Sequence, residues 1–364
     1  MIVGNLVHRP VRSLISIVAV ALEVSLILLI VGYSLGMLQD SRTRTAGIGA
    51  DVIVMPPGSS FIFGLTGSPM SIKVANVLAK LPHVEKVAPV ITQISTAGTI
   101  EVIAGVDLAS YETLSGGFHY LRGGPFQGPN DVLVDDLFAQ SKHAKVGDQI
   151  EILNNTFRIC GIVERGKGAR KFLPLNTLQD LIGARDKASV MYLKLDNPAN
   201  ADAVVQQIKE VPGMEKYVAA SMSTYLSMMT PTHYPGLSTF IRVVIGISVV
   251  IGVLVIFQAM YTAVMERTRE IGILKSMGAS RLYIVNVVLR ETALLAVGGI
   301  VVGVVASLAA QMLLARKLPL LPVVVDGRWI ARAAAIAMAS AIAGALYPAF
   351  KAARKDPIDA LAYE

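Results

Sequence analysis

Four long apolar runs interrupt an otherwise mixed sequence, at residues 14–35, 243–264, 293–314 and 329–350. About 20 apolar residues suffice for a helix to cross the ~30 Å hydrocarbon core of a bilayer. Each run must be helical there, because lipid offers no partner to a free backbone N–H or C=O. Between the first run and the second the texture changes. From about residue 39 to 236, short apolar stretches alternate with polar and turn-forming residues, as in a water-soluble fold. Residues 51–55, 84–94, 99–106, 132–134, 149–153, 157–163 and 190–195 predict strands, and 71–81, 134–143, 175–182 and 201–211 predict helices. The Gly/Pro-rich segments 58–69 and 116–129 predict loops. The expected fold is therefore four transmembrane α-helices with a large mixed α+β extracytoplasmic domain, in two lobes, between helices 1 and 2. No internal repeat is visible, which argues against an inverted-repeat transporter.

Composition agrees. Of 364 residues, 53% are apolar and only 16% charged, and the mean hydropathy is +0.58, which excludes an ordinary soluble protein. The net charge of +7 calls for no nucleic acid, since much of the excess flanks the spans, where anionic headgroups are the counterpart. Arg9 and Arg12, then Arg267, Arg269, Lys275 and Arg281, then Lys351, Arg354 and Lys355 fall on one side if both termini are cytoplasmic. Arg316, Lys317 and Arg328 oppose that orientation, but inverting the chain breaks the rule three times. The layout read this way is a cytoplasmic N-terminus (1–13), a first span (14–36), an extracytoplasmic domain (37–236) and a second span (237–265). A cytoplasmic segment (266–281), a third span (282–315), a short outer loop (316–328), a fourth span (329–350) and a cytoplasmic tail (351–364) follow. The first span is too long for a signal-peptide core and no A-x-A site follows it, so it reads as an uncleaved anchor. Cys160 is the only cysteine, which excludes an intrachain disulfide or a thiolate metal cluster.

Candidate chemistry concentrates in 266–281 (ERTREIGILKSMGASR). Ile271, Leu274 and Met277 recur at helical spacing among Glu266, Arg267, Arg269, Glu270 and Lys275, which predicts a small amphipathic helix on the membrane surface. Catalytic and metal constellations are missing from the sequence: the five histidines are scattered, and there is no G-x-S-x-G elbow. Leu114-Ser115-Gly116-Gly117 copies part of the ABC ATPase signature, but no G-x-x-x-x-G-K-[ST] loop accompanies it, so it reads as coincidence. Asp135 and Asp136 read as solvated residues. Within the spans, Glu23 and Gln258 stand out, because an ionisable group costs about 2.5–3.5 kcal/mol at the bilayer centre. Glu23 admits a substrate path, a dimer contact or a helix interface; Gln258 reads as interhelical glue. Arg242, Arg290, Glu291 and Arg332 read as snorkelling near span ends. Gly299-x-x-x-Gly303 and the alanine-rich fourth span read as packing among the last three spans. Tyr225, Met228, Met229 and His233, with Met222, gather just before the second span as a candidate mouth for apolar cargo or haem, or simply a boundary helix.

The segment at 266–281 resembles the coupling loop of the FtsX-like/MacB-type ABC transporter permeases. Their signature E-R-x-x-E-I-G-x-x-[KR]-[AS]-x-G-A is matched at Glu266, Arg267, Glu270, Ile271, Gly272, Lys275, Ser276, Gly278 and Ala279. Weaker matches follow in order. They are Ala50-Asp51-Val52-Ile53-Val54, Leu81-Pro82-His83-Val84, Ala104-Gly105-Val106-Asp107, Val146-Gly147-Asp148-Gln149-Ile150, the strand from Phe157 to Val163, Tyr347-Pro348-Ala349, and Asp356-Pro357-Ile358-Asp359-Ala360-Leu361. That last motif also predicts a short helix at 357–363 with an Asp cap and a first-turn proline. The resemblance implies a permease subunit and not an enzyme, with no cofactor of its own. ATP and Mg would act in two copies of a separate ATPase subunit. It further implies a second permease copy in a homodimer, a bacterial inner-membrane location, a periplasmic or outer-envelope partner, and hydrophobic or amphipathic cargo such as lipid, lipoprotein, antibiotic or peptide. Haem export within the same families, or a stand-alone receptor or anchored enzyme acting through its outer domain, is the alternative.

Overall fold

The computed structural model of the chain describes residues 10–59, 68–95, 101–233 and 235–355. In chain order the helices are α1 (Pro10–Ala46), α2 (Val74–Leu78), α3 (Leu108–Ser115), α4 (Asp136–Lys142), α5 (Leu175–Leu181), α6 (Ala201–Glu210), α7 (Met222–Met228), α8 (Pro235–Glu266), α9 (Thr268–Ser276), α10 (Arg281–Lys317) and α11 (Gly327–Arg354). The strands are β1 (Val52–Met55), β2 (Met70–Ser71), β3 (Val84–Ser95), β4 (Glu101–Val106), β5 (Tyr120–Gly123), β6 (Asp131–Asp135), β7 (Gln149–Ile152), β8 (Asn155–Val163), β9 (Lys171–Pro174), β10 (Lys187–Ala188), β11 (Val190–Leu195) and β12 (Val218–Ser221). Two compact units result: residues 1–36, 236–316 and 321–364, and residues 37–235 with 317–320.

The first unit is a helix bundle. α1, α8, α10 and α11 are each long and apolar enough to cross a membrane. They overrun the apolar runs, because the charged residues at their ends keep good helical propensity in water. Ala333, Ala337, Ala341, Ala345 and Ala349 recur every fourth residue of α11 and are fully buried. This seam of small side chains lets backbones approach closely. At Gly344 the approach is such that a Cβ would lie 2.6 Å from the Val253 carbonyl oxygen of α8. Gly299 and Gly303 correct the sequence reading: they receive the first span. A Cβ at Gly299 would lie 2.5 Å from that of Val20, and one at Gly303 would lie 2.7 Å from the Ala21 carbonyl oxygen. Ser25 Oγ donates to the Gly303 carbonyl at 3.1 Å.

The second unit is built on a ten-stranded sheet in the order β12-β1-β11-β3-β4-β9-β6-β8-β5, with β7 beside β8. It is mixed: β4–β9 and β6–β8 are parallel. One continuous sheet thus replaces the two lobes expected. Val52 and Val54 of β1 point into a core shared with α2 and α6, whereas Ile53 and Met55 point into one shared with α3. Burial on both faces is why that strand is apolar throughout. α4 and α5 cover a third core around Phe157, Ile159 and Leu173.

Seven predicted strands are present, 99–106 being described from Glu101 onward. The helix predicted at 71–81 shrinks to five residues; Pro82 disfavours helical geometry at the residue before it. β5 lies in a segment read as loop and is mostly exposed, while β9 and β12 have only four residues each. Leu114 is buried, and Gly116 ends α3 in the left-handed region at φ 71°, so Leu114-Ser115-Gly116-Gly117 is a helix end. The helix predicted at 357–363 lies outside the described residues.

Candidate functional site

The segment 266–281 folds as a helix with built ends. Arg267, at φ −107° and ψ 21°, breaks α8 from α9. The Thr268 hydroxyl closes the bend by donating to the Met265 carbonyl at 2.8 Å. At the other end the Ala279 N–H donates to Leu274 O and the Gly278 N–H to Lys275 O, both at 3.0 Å. These are the two bonds of a Schellman stop, with Gly278 at φ 94°. Ser280 then starts α10 by accepting from the Tyr283 N–H at 3.2 Å. The Gly-Ala-Ser of the motif is thus a helix stop followed at once by a helix start.

The inward face fixes α9 to the bundle. Thr268 and Gly272 are buried, and Ile271, Leu274 and Ala279 pack on the bundle core. Arg267 Nη1 donates to both carboxylate oxygens of Glu291 in α10, at 3.2 and 3.0 Å. Their side chains are only 13% and 6% exposed, so removing one partner strands a charge out of water. Lys275 Nζ donates to Ala353 O at 3.1 Å and to Lys355 O at the end of α11. The outward face carries Arg269, Glu270, Ile273 and Met277, continued by Leu282 and Tyr283. Met277 is 71% exposed. Glu266 is exposed as well.

Eleven sequence candidates therefore divide, with Glu266 exposed at the end of α8. Arg267, Ile271, Gly272, Leu274, Lys275 and Ala279 hold the helix; Arg269, Glu270 and Met277 are presented, and Gly278 shapes the turn. Ile273, Leu282 and Tyr283 were not singled out by the sequence. Spacing from Arg269 and Glu270 finds Ile273, whereas Leu282 and Tyr283 lie beyond the Gly278 stop, in α10, where that helical phase does not carry over. Between α8, α9 and α10 lies a cavity of about 420 Å³, its wall including Val264, Ile271, Leu274, Ile284 and the Arg267–Glu291 pair. Glu291 is thus a buried ion-pair partner and not a snorkelling residue.

The other candidates fall elsewhere. Glu23 is 4% exposed, at a three-helix junction of α1, α8 and α11. The Ser340 hydroxyl lies 2.9 and 3.0 Å from its carboxylate oxygens. A Cβ on Gly252 would stand 2.1 Å from Oε2. Within this chain Glu23 therefore sits in a helix interface. Gln258 is exposed, on the side of α8 away from its neighbours, so it is not glue within this chain. Tyr225 packs on the outer domain's core and Met229 is buried. Met228 is half-buried and His233, exposed, lies 2.8 Å from Thr230 Oγ1. The four side chains thus differ in exposure, from buried Met229 to exposed His233. Asp135 is another correction: it is 1% exposed, caps α4 by accepting from the Phe138 N–H at 2.6 Å, and meets Arg170 at 3.3 Å. Arg170 also donates to Asp40 at 2.9 Å, and Asp136 pairs with Arg165.

Residues 13–211 match the family model for the MacB-like periplasmic core domain, and residues 242–357 that for the FtsX-like permease C-terminal region. Over 385 aligned positions the chain is 24% identical to a macrolide export ATP-binding/permease protein, MacB, of Shewanella sp. (strain W3-18-1), covering 98% of this chain and 59% of that protein. It is 27% identical over 250 positions to the ABC transporter permease YknZ of Bacillus subtilis (strain 168), covering 64% of this chain and 60% of that one. The chain thus spans 59–60% of the length of these relatives. The crystal structure of the periplasmic region of MacB from Actinobacillus actinomycetemcomitans aligns with 50% of this chain and 94% of its own, at 16% identity and a TM-score of 0.39.

Proposed function

Since the chain belongs to the FtsX/MacB-type ABC transporter permeases, a multi-pass membrane family, we propose that it couples ATP hydrolysis in a partner ATPase to a conformational change of its extracytoplasmic domain. The observation that carries this reading is the division of α9 into two faces. The inner face is clipped to α10 through Arg267–Glu291 and to α11 through Lys275. The outer face presents Arg269, Glu270, Ile273 and Met277. A helix held this way has little slack, so force applied to its outer face passes into α8 and α10. α1 and α8 flank the outer domain in sequence, and movement between them reshapes that domain; this is mechanotransmission.

In this reading both termini and α9 are cytoplasmic, two permease copies pair, and two ATPase chains, each with ATP and Mg, dock below. The names of the MacB relatives include ATP binding, whereas this chain carries no phosphate-loop motif and matches only part of their length, which supports placing the nucleotide outside these residues. Cargo in this reading is hydrophobic or amphipathic. Haem export loses its footing, because Glu23 is engaged between helices and Tyr225 and Met229 are packed into the domain.

Purification from native membranes in mild detergent tests the proposal. A co-purifying ATPase is expected, and Arg269→Glu/Glu270→Arg should weaken its retention at least tenfold while leaving the permease folded. Arg267→Glu is the wrong probe, since it breaks an internal pair. Retention of the ATPase by the outward-face variant, or the chain arriving alone, would sink the proposal.

A further inference from the structure

At the end of α11 a cavity of about 510 Å³ is lined by Tyr347, Phe350, Lys351, Arg354 and Lys355. Two aromatic rings and three cations, with no carboxylate among the described lining residues, make an unusual wall. It is also a built one. Lys351 Nζ donates to the Tyr261 hydroxyl at 2.7 Å and lies 4.5 Å from that ring's centre. Tyr261 stacks on Phe257 at 5.9 Å, and Phe257 meets Tyr347 at 5.8 Å. The Arg354 side chain is exposed and makes no hydrogen bond or ion pair among the described residues. Lys275 brings a fourth cation to the same helix end through the Ala353 carbonyl. The C-terminal dipole of a helix amounts to about half a negative charge. Lys351 and Arg354 outweigh it, and Lys275 already caps its carbonyls.

We infer that this cavity holds the phosphate headgroup of an anionic phospholipid. The chemistry favours lipid over a free anion. Tyr347 and Phe350 are 59% and 49% exposed, and Leu346 beside them is 39% exposed, so an apolar, aromatic surface rises from the cations along a membrane-spanning helix. Aromatic rings at the level of the headgroups and basic pockets at span ends have this role in membrane proteins generally. Arg354 and Lys351 bind the phosphate, and the rings take the glycerol and the first acyl methylenes. The same end of α11 supplies the carbonyls that hold Lys275, so an occupied site steadies the support on which α9 rests. This last consequence rests on the coupling role proposed above; the headgroup site itself requires only that α11 crosses a membrane.

Native mass spectrometry of the full chain, in detergent supplemented with phosphatidylglycerol or phosphatidylcholine, tests it without any ATPase. Wild type should retain phosphatidylglycerol several-fold better than phosphatidylcholine. Arg354→Gln, which removes a side chain with no internal partner, should lose most of that preference, and Lys351→Gln/Arg354→Gln all of it. Arg316→Gln/Arg328→Gln, at the opposite end of the spans, should keep it, as should Lys351→Arg/Arg354→Lys. Equal retention of the two lipids by wild type, or an undiminished preference in Arg354→Gln, would overturn the site. Displacement of the lipid by inorganic phosphate at millimolar concentration would reassign it to a soluble anion. Lipid retention by a chain that has no ATPase partner would leave the site standing and remove only the coupling role.

Discussion

Gly252 leaves out a side chain where Glu23 places its carboxylate, and the bundle depends on that omission. A methyl group there would overlap Oε2 at 2.1 Å, and overpacking of this kind typically costs about 1–3 kcal/mol. Gly252→Ala should therefore lower the thermal midpoint in detergent, while Glu23→Ala/Gly252→Ala should recover part of the loss, because the two changes share one contact. Additive losses would show that the two residues do not meet. In the outer domain, burial pushes the Cys160 thiol up to about 11, helped by Asp131 nearby, and its Sγ donates to the Val132 carbonyl. Only the thiolate is nucleophilic. Alkylation of the folded protein should thus be slow at neutral pH and still rise about tenfold per pH unit beyond pH 9, where an ordinary thiol, titrating near 8.5, levels off. A rate that plateaus near pH 9 would contradict the burial of this side chain.

For α9, the turn that ends it matters as much as its charges. Gly278 sits at φ 94°, where a Cβ costs about 1 kcal/mol or more. Gly278→Ala should loosen the Schellman stop and reduce ATPase stimulation with little change in global stability; unaltered stimulation would mean that the join between α9 and α10 need not be rigid. The sequence made this element legible as a surface helix, but not which way it faces. Ile271, Leu274 and Met277 share a helical spacing, yet the first two pack on the bundle and the third is exposed. Local periodicity shows that an apolar stripe exists and not what covers it. The same limit explains Gly299 and Gly303, whose spacing announced close packing without naming α1 as the partner. β5 was missed because it is mostly exposed, and β9 (KFLP) and β12 (VAAS) because they lack the apolar run or alternation that marks the equally short β1 (VIVM) and β7 (QIEI). Asp135 looked solvated because its partner Arg170 arrives from 35 residues further along the chain.

On the scale of the molecule, α1 belongs to both units: its last residues, 37–46, count with the outer domain. There the Gly168 N–H donates to the Arg44 carbonyl at 2.9 Å, and Arg170 reaches Asp40. A soluble fragment of residues 37–232 should consequently be more stable than one of 47–232. Losing those partners leaves buried polar groups unsatisfied, at a cost of about 2 kcal/mol. For a domain of this size that lowers the melting temperature by roughly 4–8 °C. Equal melting of the two fragments would show that the helix end is only a tether. The seat of Glu23 has a mechanical meaning too. The carboxylate sits in the Gly252 gap like a tooth in a notch, so α1 can slide along α8 only by lifting it out. A shift by one turn, about 5.4 Å, would carry the carboxylate from Gly252 either onto Ser248, whose hydroxyl is already given to the Val244 carbonyl at 2.9 Å, or onto Ile256, which is fully buried and has no donor. Either shift meets a side chain where Gly252 leaves room, so the notch opposes sliding of the first two spans in both directions.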